Sequence, residues 1–99
     1  MSTDTAIKTK LFELGRTIIT KAALEALKES GQTPHEFLQR HQTGDWGEEL
    51  DEGDRKENDF SLKNGYRLLS AYKNSKGQRL WIITEHDRSY TTVMLPSDY

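Results

Sequence analysis

Three short alternating segments, separated by turn signals, fill the last third of the chain and most constrain what it can fold into. Tyr66 to Tyr72 places Leu68, Ser70 and Tyr72 on one face and Arg67, Leu69 and Ala71 on the other. Asn74-Ser75-Lys76-Gly77 is a turn signal. Arg79 to Thr84 alternates again, with Leu80, Ile82 and Thr84 opposite Trp81 and Ile83. His86 to Ser89 makes the next turn, and Tyr90 to Leu95 is a third strand that Pro96 ends. Consecutive strands with turns this short pair as an antiparallel meander.

The first half reads differently. Arg16-Thr17-Ile18-Ile19-Thr20 is β-branched and predicts a short strand. Thr20 then suits the cap of a helix from Lys21 to about Ser30, with Ala23, Leu24 and Leu27 as its apolar stripe and Gly31 as its stop. Thr33-Pro34-His35-Glu36 has the residues of a capping box with proline at the first helical position. Phe37, Leu38 and His41 follow at helical spacing, and Thr43-Gly44 ends that helix. Leu50 to Gly65 is a more polar helix that Asp51 can cap and Asn64-Gly65 closes. Its Arg55 and Asn58 share roughly one face with Leu62, so it either lies loosely on the surface or aims polar groups at a site. The expected fold is α+β: two or three helices packed on a small antiparallel sheet of three to four strands. Residues 1–10 are expected to be a flexible N-terminus, and residues 11–99 a single α+β domain.

Cysteine is absent, so disulfides and thiolate metal sites are excluded. No run is long enough to span a membrane, and the first ten residues lack the apolar core of a secretory signal. A cytoplasmic location is the expectation. The net charge of −2 argues against bulk coating of nucleic acid. Charge is uneven, however. Asp45, Glu48, Glu49, Asp51, Glu52, Asp54, Glu57 and Asp59 crowd one stretch against Arg55 and Lys56, whereas Lys63 to Arg88 is mostly basic. No metal site is expected, because the histidines lack a ligating spacing and the acids lack the order of a calcium loop. No cofactor is expected either, since there is no phosphate-binding glycine loop, and no Gly-x-Ser-x-Gly elbow marks a serine hydrolase.

Two polar clusters are the candidate sites. His41-Gln42-Thr43-Gly44-Asp45-Trp46-Gly47 brings an imidazole, a hydroxyl, a carboxylate and an indole into seven positions with two glycines. His41 suits general acid–base chemistry, or else ends its helix and packs on Trp46. Asp45 could orient it or cap the following turn. In the late hairpin, Arg88 could clamp a phosphate or carboxylate with hydroxyls from Thr84, Thr91 and Thr92, or simply pair with Asp87 or Glu85.

The segments Arg40-His41, Thr43-Gly44-Asp45-Trp46-Gly47, Leu69-Ser70-Ala71-Tyr72, Trp81-Ile82-Ile83-Thr84, Asp87-Arg88-Ser89 and Thr91-Thr92 through Leu95-Pro96 to Tyr99 carry a resemblance. From Leu11 to Tyr99 the chain resembles a family of short bacterial proteins on plasmids and integrative elements, labelled plasmid-related proteins. The resemblance implies a mobile-element gene and a bacterial cytoplasm, and no chemistry. The chain is also similar, in architecture alone, to the barnase, EndoU, colicin and RelE-like ribonucleases, which cut RNA without metal.

Two functions follow. One is a small cytoplasmic interaction protein, acting on a host or mobile-element protein through an acidic surface of Asp45, Trp46, Glu48, Glu49, Asp51 and Glu52. The other is a metal-independent ribonuclease acting on RNA. There His41 would be the general acid or base, Arg67 and Arg88 would hold phosphate, and Thr91 or Thr92 would assist.

Overall fold

A computed structural model describes residues 9–99. The expectation of a flexible segment over residues 1–10 lies, for residues 1–8, outside the described residues. The elements run β1 (Arg16–Ile19), α1 (Lys21–Ser30), α2 (Pro34–Gln42), α3 (Glu52–Asn64), β2 (Leu68–Lys73), β3 (Arg79–Thr84) and β4 (Tyr90–Met94), followed by a 3-10 turn at Pro96–Asp98. This is the expected α+β class with three helices and four strands.

The helix ends follow local chemistry. The Thr20 hydroxyl accepts from the Ala23 N–H at 3.2 Å, and Gly31 closes α1 at φ +72°. Asp51 accepts from the Asp54 N–H at 2.8 Å to start α3. At α2 the capping box does not form, because the Thr33 side chain makes no cap bond. The Glu36 carboxylate instead accepts from Gln32 Nε2 at 2.9 Å, and Pro34 alone marks the start.

The sheet order is β1-β4-β3-β2. β2, β3 and β4 form the expected antiparallel meander, with Leu68 opposite Thr84 and Ile82 opposite Val93. β1 adds to β4 in parallel, so the sheet is mixed rather than wholly antiparallel. The reason is connectivity. The three helices separate β1 from β2, and the meander then runs back across the sheet until β4 lies beside β1.

Alternation along the strands sorts the two faces as the sequence predicts. Leu68, Ser70, Tyr72, Leu80, Ile82, Thr84, Thr91 and Val93 share the covered face and are all buried. Ala23 and Leu27 of α1 and Phe37 and Leu38 of α2 pack there with Tyr72, Leu80, Ile82 and Val93. A second cluster of Trp46, Leu50, Leu68 and Ala71 lies at the β2 side, flanked by Phe12, Leu62, Leu69 and Trp81.

β2 is an edge strand, yet its edge is closed. The Asn58 amide clamps Leu69 at two points: Nδ2 donates to the Leu69 carbonyl at 2.5 Å, and Oδ1 accepts the Leu69 N–H at 3.1 Å. The next outward-facing residue, Ala71, donates to the Trp46 carbonyl at 3.0 Å and accepts from the Glu49 N–H at 3.2 Å. The Lys73 N–H reaches Glu48 Oε1 at 3.3 Å. The polar helix α3 therefore aims its inner polar groups at backbone. Arg55 does the same, donating to the Gly47 and Leu50 carbonyls. Gly47 makes this approach possible: at φ +99° it lies so close that a Cβ would overlap the Ala71 carbonyl oxygen.

Replacing Asn58 with leucine should expose this dependence. Two backbone groups of Leu69 would lose their partners, at a cost of about 2–4 kcal/mol. Asn64→Ala, on the exposed side of the same helix, should cost under about 0.5 kcal/mol. Urea unfolding of the two variants at neutral pH measures the difference.

Candidate functional site

His41 sits on α2 one turn after Phe37 and, like it, points into the protein. Its relative exposure is 0%. Phe12 packs against the ring edge-on at 5.1 Å between centroids, and Trp46 packs similarly at 5.8 Å. Both ring nitrogens meet hydroxyls: Nδ1 lies 2.5 Å from Ser70 Oγ and Nε2 lies 2.9 Å from Thr84 Oγ1. Thr84 Oγ1 in turn lies 2.7 Å from Thr91 Oγ1. Thr91 Oγ1 donates to the Leu14 carbonyl at 2.7 Å.

These contacts assign every proton in the chain. A carbonyl can only accept, so the single Thr91 hydroxyl hydrogen goes to Leu14. Thr91 must then accept from Thr84, which uses the Thr84 hydrogen. Thr84 must therefore accept from His41, which places an N–H on Nε2. Nδ1 of the neutral ring is left as an acceptor, and Ser70 donates to it. The result is a one-way series, Ser70 to His41 to Thr84 to Thr91 to the Leu14 carbonyl. A second proton on His41 would have to sit on Nδ1 and force the Ser70 hydroxyl to turn its hydrogen away and accept instead. Burial, with a smaller contribution from the Arg88 charge, pushes the His41 pKa down from its ordinary 6.5 to about 3.

The series joins His41 to Thr91, two of the expected catalytic residues, but seals both inside. Arg88 occupies the β3–β4 turn in a left-handed conformation at φ +60°. Its guanidinium pairs with neither Asp87 nor Glu85 side chains. Nη1 donates to the carbonyls of Tyr66 at 2.7 Å, Glu85 at 3.0 Å and His86 at 3.2 Å, and the group lies 5.7 Å from the Phe12 ring centre. Burial lowers its pKa, with Asp87 acting in the opposite direction. The Asp87 carboxylate is held by the Ser89 N–H instead. Gly15 passes so close that a Cβ there would overlap the Arg88 and Ser89 carbonyl oxygens.

Arg67 and Thr92 lie elsewhere. Arg67 donates to the Tyr99 hydroxyl at 2.9 Å. Thr92 is in register with Ile83 and Ile18, on the face opposite Thr91. The five expected catalytic residues thus do not share one open surface. As folded, the His41 ring reaches no substrate.

The expected acidic surface is likewise largely neutralised from within. Asp45 takes Arg40 Nε at 2.7 Å and caps the Gly47 N–H at 3.2 Å. Glu48 takes Arg40 Nη2 at 3.1 Å. Lys73 and Arg79 flank Glu49 at 3.6 and 3.4 Å. Asp51 is the α3 cap, and Glu52 faces Lys56 at 3.8 Å in an exposed pair. Trp46 is buried, its indole N–H donating to Asp59 at 3.1 Å. What remains exposed on α3 is different: among the described residues Asp54, at the groove rim, and Glu57 form no ion pair, and exposed Phe60 stacks on exposed Tyr66 at 5.9 Å.

Ser70 and Asn58 were not among the expected site residues. Ser70 had a legible signal, since it is the polar member of the Leu68–Ser70–Tyr72 face. Asn58 had a weaker one, its place beside Arg55 and Leu62. A groove of about 380 Å³ also opens between the start of α3 and the outer face of β2 and β3, with Leu50, Leu69 and Trp81 among its walls. Among the described residues no cluster of His, Asp and Glu could hold a metal ion, and no helix is long and apolar enough to cross a membrane. Comparison with protein-family models, curated proteins and solved structures returned no match.

Acid should destabilise this protein through His41. Above pH 6.5 the ring is neutral both folded and unfolded, and its protonation costs nothing. Below that value the unfolded chain takes a proton that the folded chain refuses until about pH 3. Stability is therefore lost as pH falls through this window. Between pH 7.5 and pH 5 the loss is about 2 kcal/mol. Urea midpoints at the two pH values measure it. His41→Gln should be less stable at pH 7.5 but lack this component of the slope. Imidazole nitrogen shifts of the wild type at pH 5 should show a protonated Nε2 and a bare Nδ1.

Proposed function

We propose that this chain is a small, non-catalytic interaction protein of a bacterial mobile element, working in the cytoplasm. Its partner is a host or element protein with a basic surface and an apolar anchor. The observation that carries the proposal is the outward face of α3. Along this helix, among the described residues, the exposed carboxylates of Asp54, at the rim of the groove beside β2 and β3, and Glu57 form no ion pair, while the neighbouring Arg55 is turned inward onto two carbonyls. Glu57 and Phe60 are three residues apart and so adjacent on the helix. Phe60 and Tyr66, each 55% exposed, add an aromatic pair beside those charges.

Such a surface supplies both elements of specific docking. Unpaired acids steer a basic partner and set its orientation, and exposed aromatic rings offer the desolvated contact that carries affinity. The acids expected at Asp45, Glu48 and Glu49 contribute less, because each already has a cationic partner. The docking surface thus moves along the chain, from the loop to the helix that follows it. The sealed His41 also favours a binding role over RNA cleavage, since acid–base work would first require the core to open.

The test uses purified protein as bait in a bacterial lysate, beside Asp54→Lys/Glu57→Lys and Phe60→Ser variants. A Glu25→Lys/Glu29→Lys variant at exposed positions of α1 controls for net charge. The wild type and the control should retain the same protein, the α3 variants should lose it at least about tenfold, and binding should weaken with added salt. Capture that ignores α3, or cleavage of total RNA by the purified wild type, would overturn the proposal.

A further inference from the structure

The two edges of the sheet are treated in opposite ways. On β2, each outward backbone group described above is met by Asn58, Trp46, Glu49 or Glu48. On β1, Arg16 and Thr20 donate inward to Ser89 and Val93 of the β4 side, so the alternate residues Thr17 and Ile19 face outward. Among the described residues their N–H and C=O groups have no partner. Thr17 and Ile18 are exposed. An open edge of this kind is a template for another strand.

We propose that this edge joins a second copy of the same chain, giving a two-fold dimer with one continuous eight-stranded sheet. The self-complementarity follows from the register that uses both outward residues. Antiparallel pairing of Thr17 with the second copy's Ile19, and the reverse, makes four backbone hydrogen bonds and sets Ile18 against Ile18 on the axis. That pair is of the close, non-hydrogen-bonded kind, in which side chains touch. Ile18 is 41% exposed in the single chain and would be covered there.

The flanks complete the match. The same register places Arg16 opposite Thr20 of the second copy, whose backbone is still extended at φ −69°, ψ 155°. Within one chain the Thr20 hydroxyl donates to Asp98 Oδ2 at 2.7 Å. Arg16 thus comes within reach of a carboxylate that, among the described residues, has no ion pair in its own chain, and Arg16 has none there either. Two-fold symmetry makes that cation–anion pair twice. The contact is short, so the dimer is weak and its population depends on concentration. It also sets the two α3 helices at opposite ends of the joined sheet, far from the new contact.

Sedimentation equilibrium of the full chain from low to high micromolar concentration tests this. A reversible dimer is expected, with the dissociation constant raised at least about tenfold by Ile18→Lys. Thr17→Pro removes only an outward N–H and should act alike, while circular dichroism and thermal melting show both variants folded. Arg16→Glu and Asp98→Lys should each weaken the dimer, and the double variant should recover it. A monomer throughout the range overturns the proposal. So does a dimer that ignores these substitutions or that the α3 variants disrupt instead.

Discussion

The fold turns on one neutral hydrogen-bond series through its core. It starts at Ser70 on β2, passes through His41 on α2 and Thr84 on β3, and ends through Thr91 of β4 on the Leu14 carbonyl before β1. Five separate parts of the chain are tied by groups that would each be costly to bury alone. Because every hydrogen has one acceptor and the direction never reverses, the series is satisfied only when all five parts are in place. It therefore selects the register of β2, β3 and β4 more sharply than their apolar alternation does. Burial is the main reason His41 stays neutral, and the neutral ring is the form whose two nitrogens fit the one-way series.

Around that series the protein uses its charged and polar side chains mainly on its own backbone. Arg88 gathers carbonyls from the end of α3, the α3–β2 connection and its own turn. Arg55 does so at the Gly47–Leu50 loop, and Asn58 closes the β2 edge. Arg40 lies over the Tyr72 ring at 4.4 Å while holding Asp45 and Glu48. A chain with so little apolar residue stabilises irregular loops in this way, at the cost of leaving few polar groups for chemistry. The outer face of α3 and the outer edge of β1 are where this internal satisfaction stops.

Much of the fold was legible from local pattern. The meander turns, the Thr20 and Asp51 caps, the Gly31 and Gly65 stops and the inward faces of β2 and β3 all follow from residues within a few positions of one another. The Thr33–Glu36 capping box failed because Gln32 took the Glu36 carboxylate, a competition that the motif does not encode. The candidate site was legible in its residues but not in its meaning. His41, Thr84 and Thr91 were visible as polar residues in apolar surroundings, yet the same pattern fits a catalytic group and a buried scaffold.

The sequence by itself determined which segments become helix and strand, because periodicity, caps and turns act over a few residues. It also determined that the chain is polar, free of cysteine and unevenly charged. Only the tertiary structure decided which charges remain free and which protons are fixed. Lys73 of β2 pairs with Glu49, His41 meets Ser70 across 29 positions, and β1 finds β4 only after the helices and the other strands have intervened. Those outcomes depend on pairs distant in sequence, and a pair has no energy until the fold brings its members together.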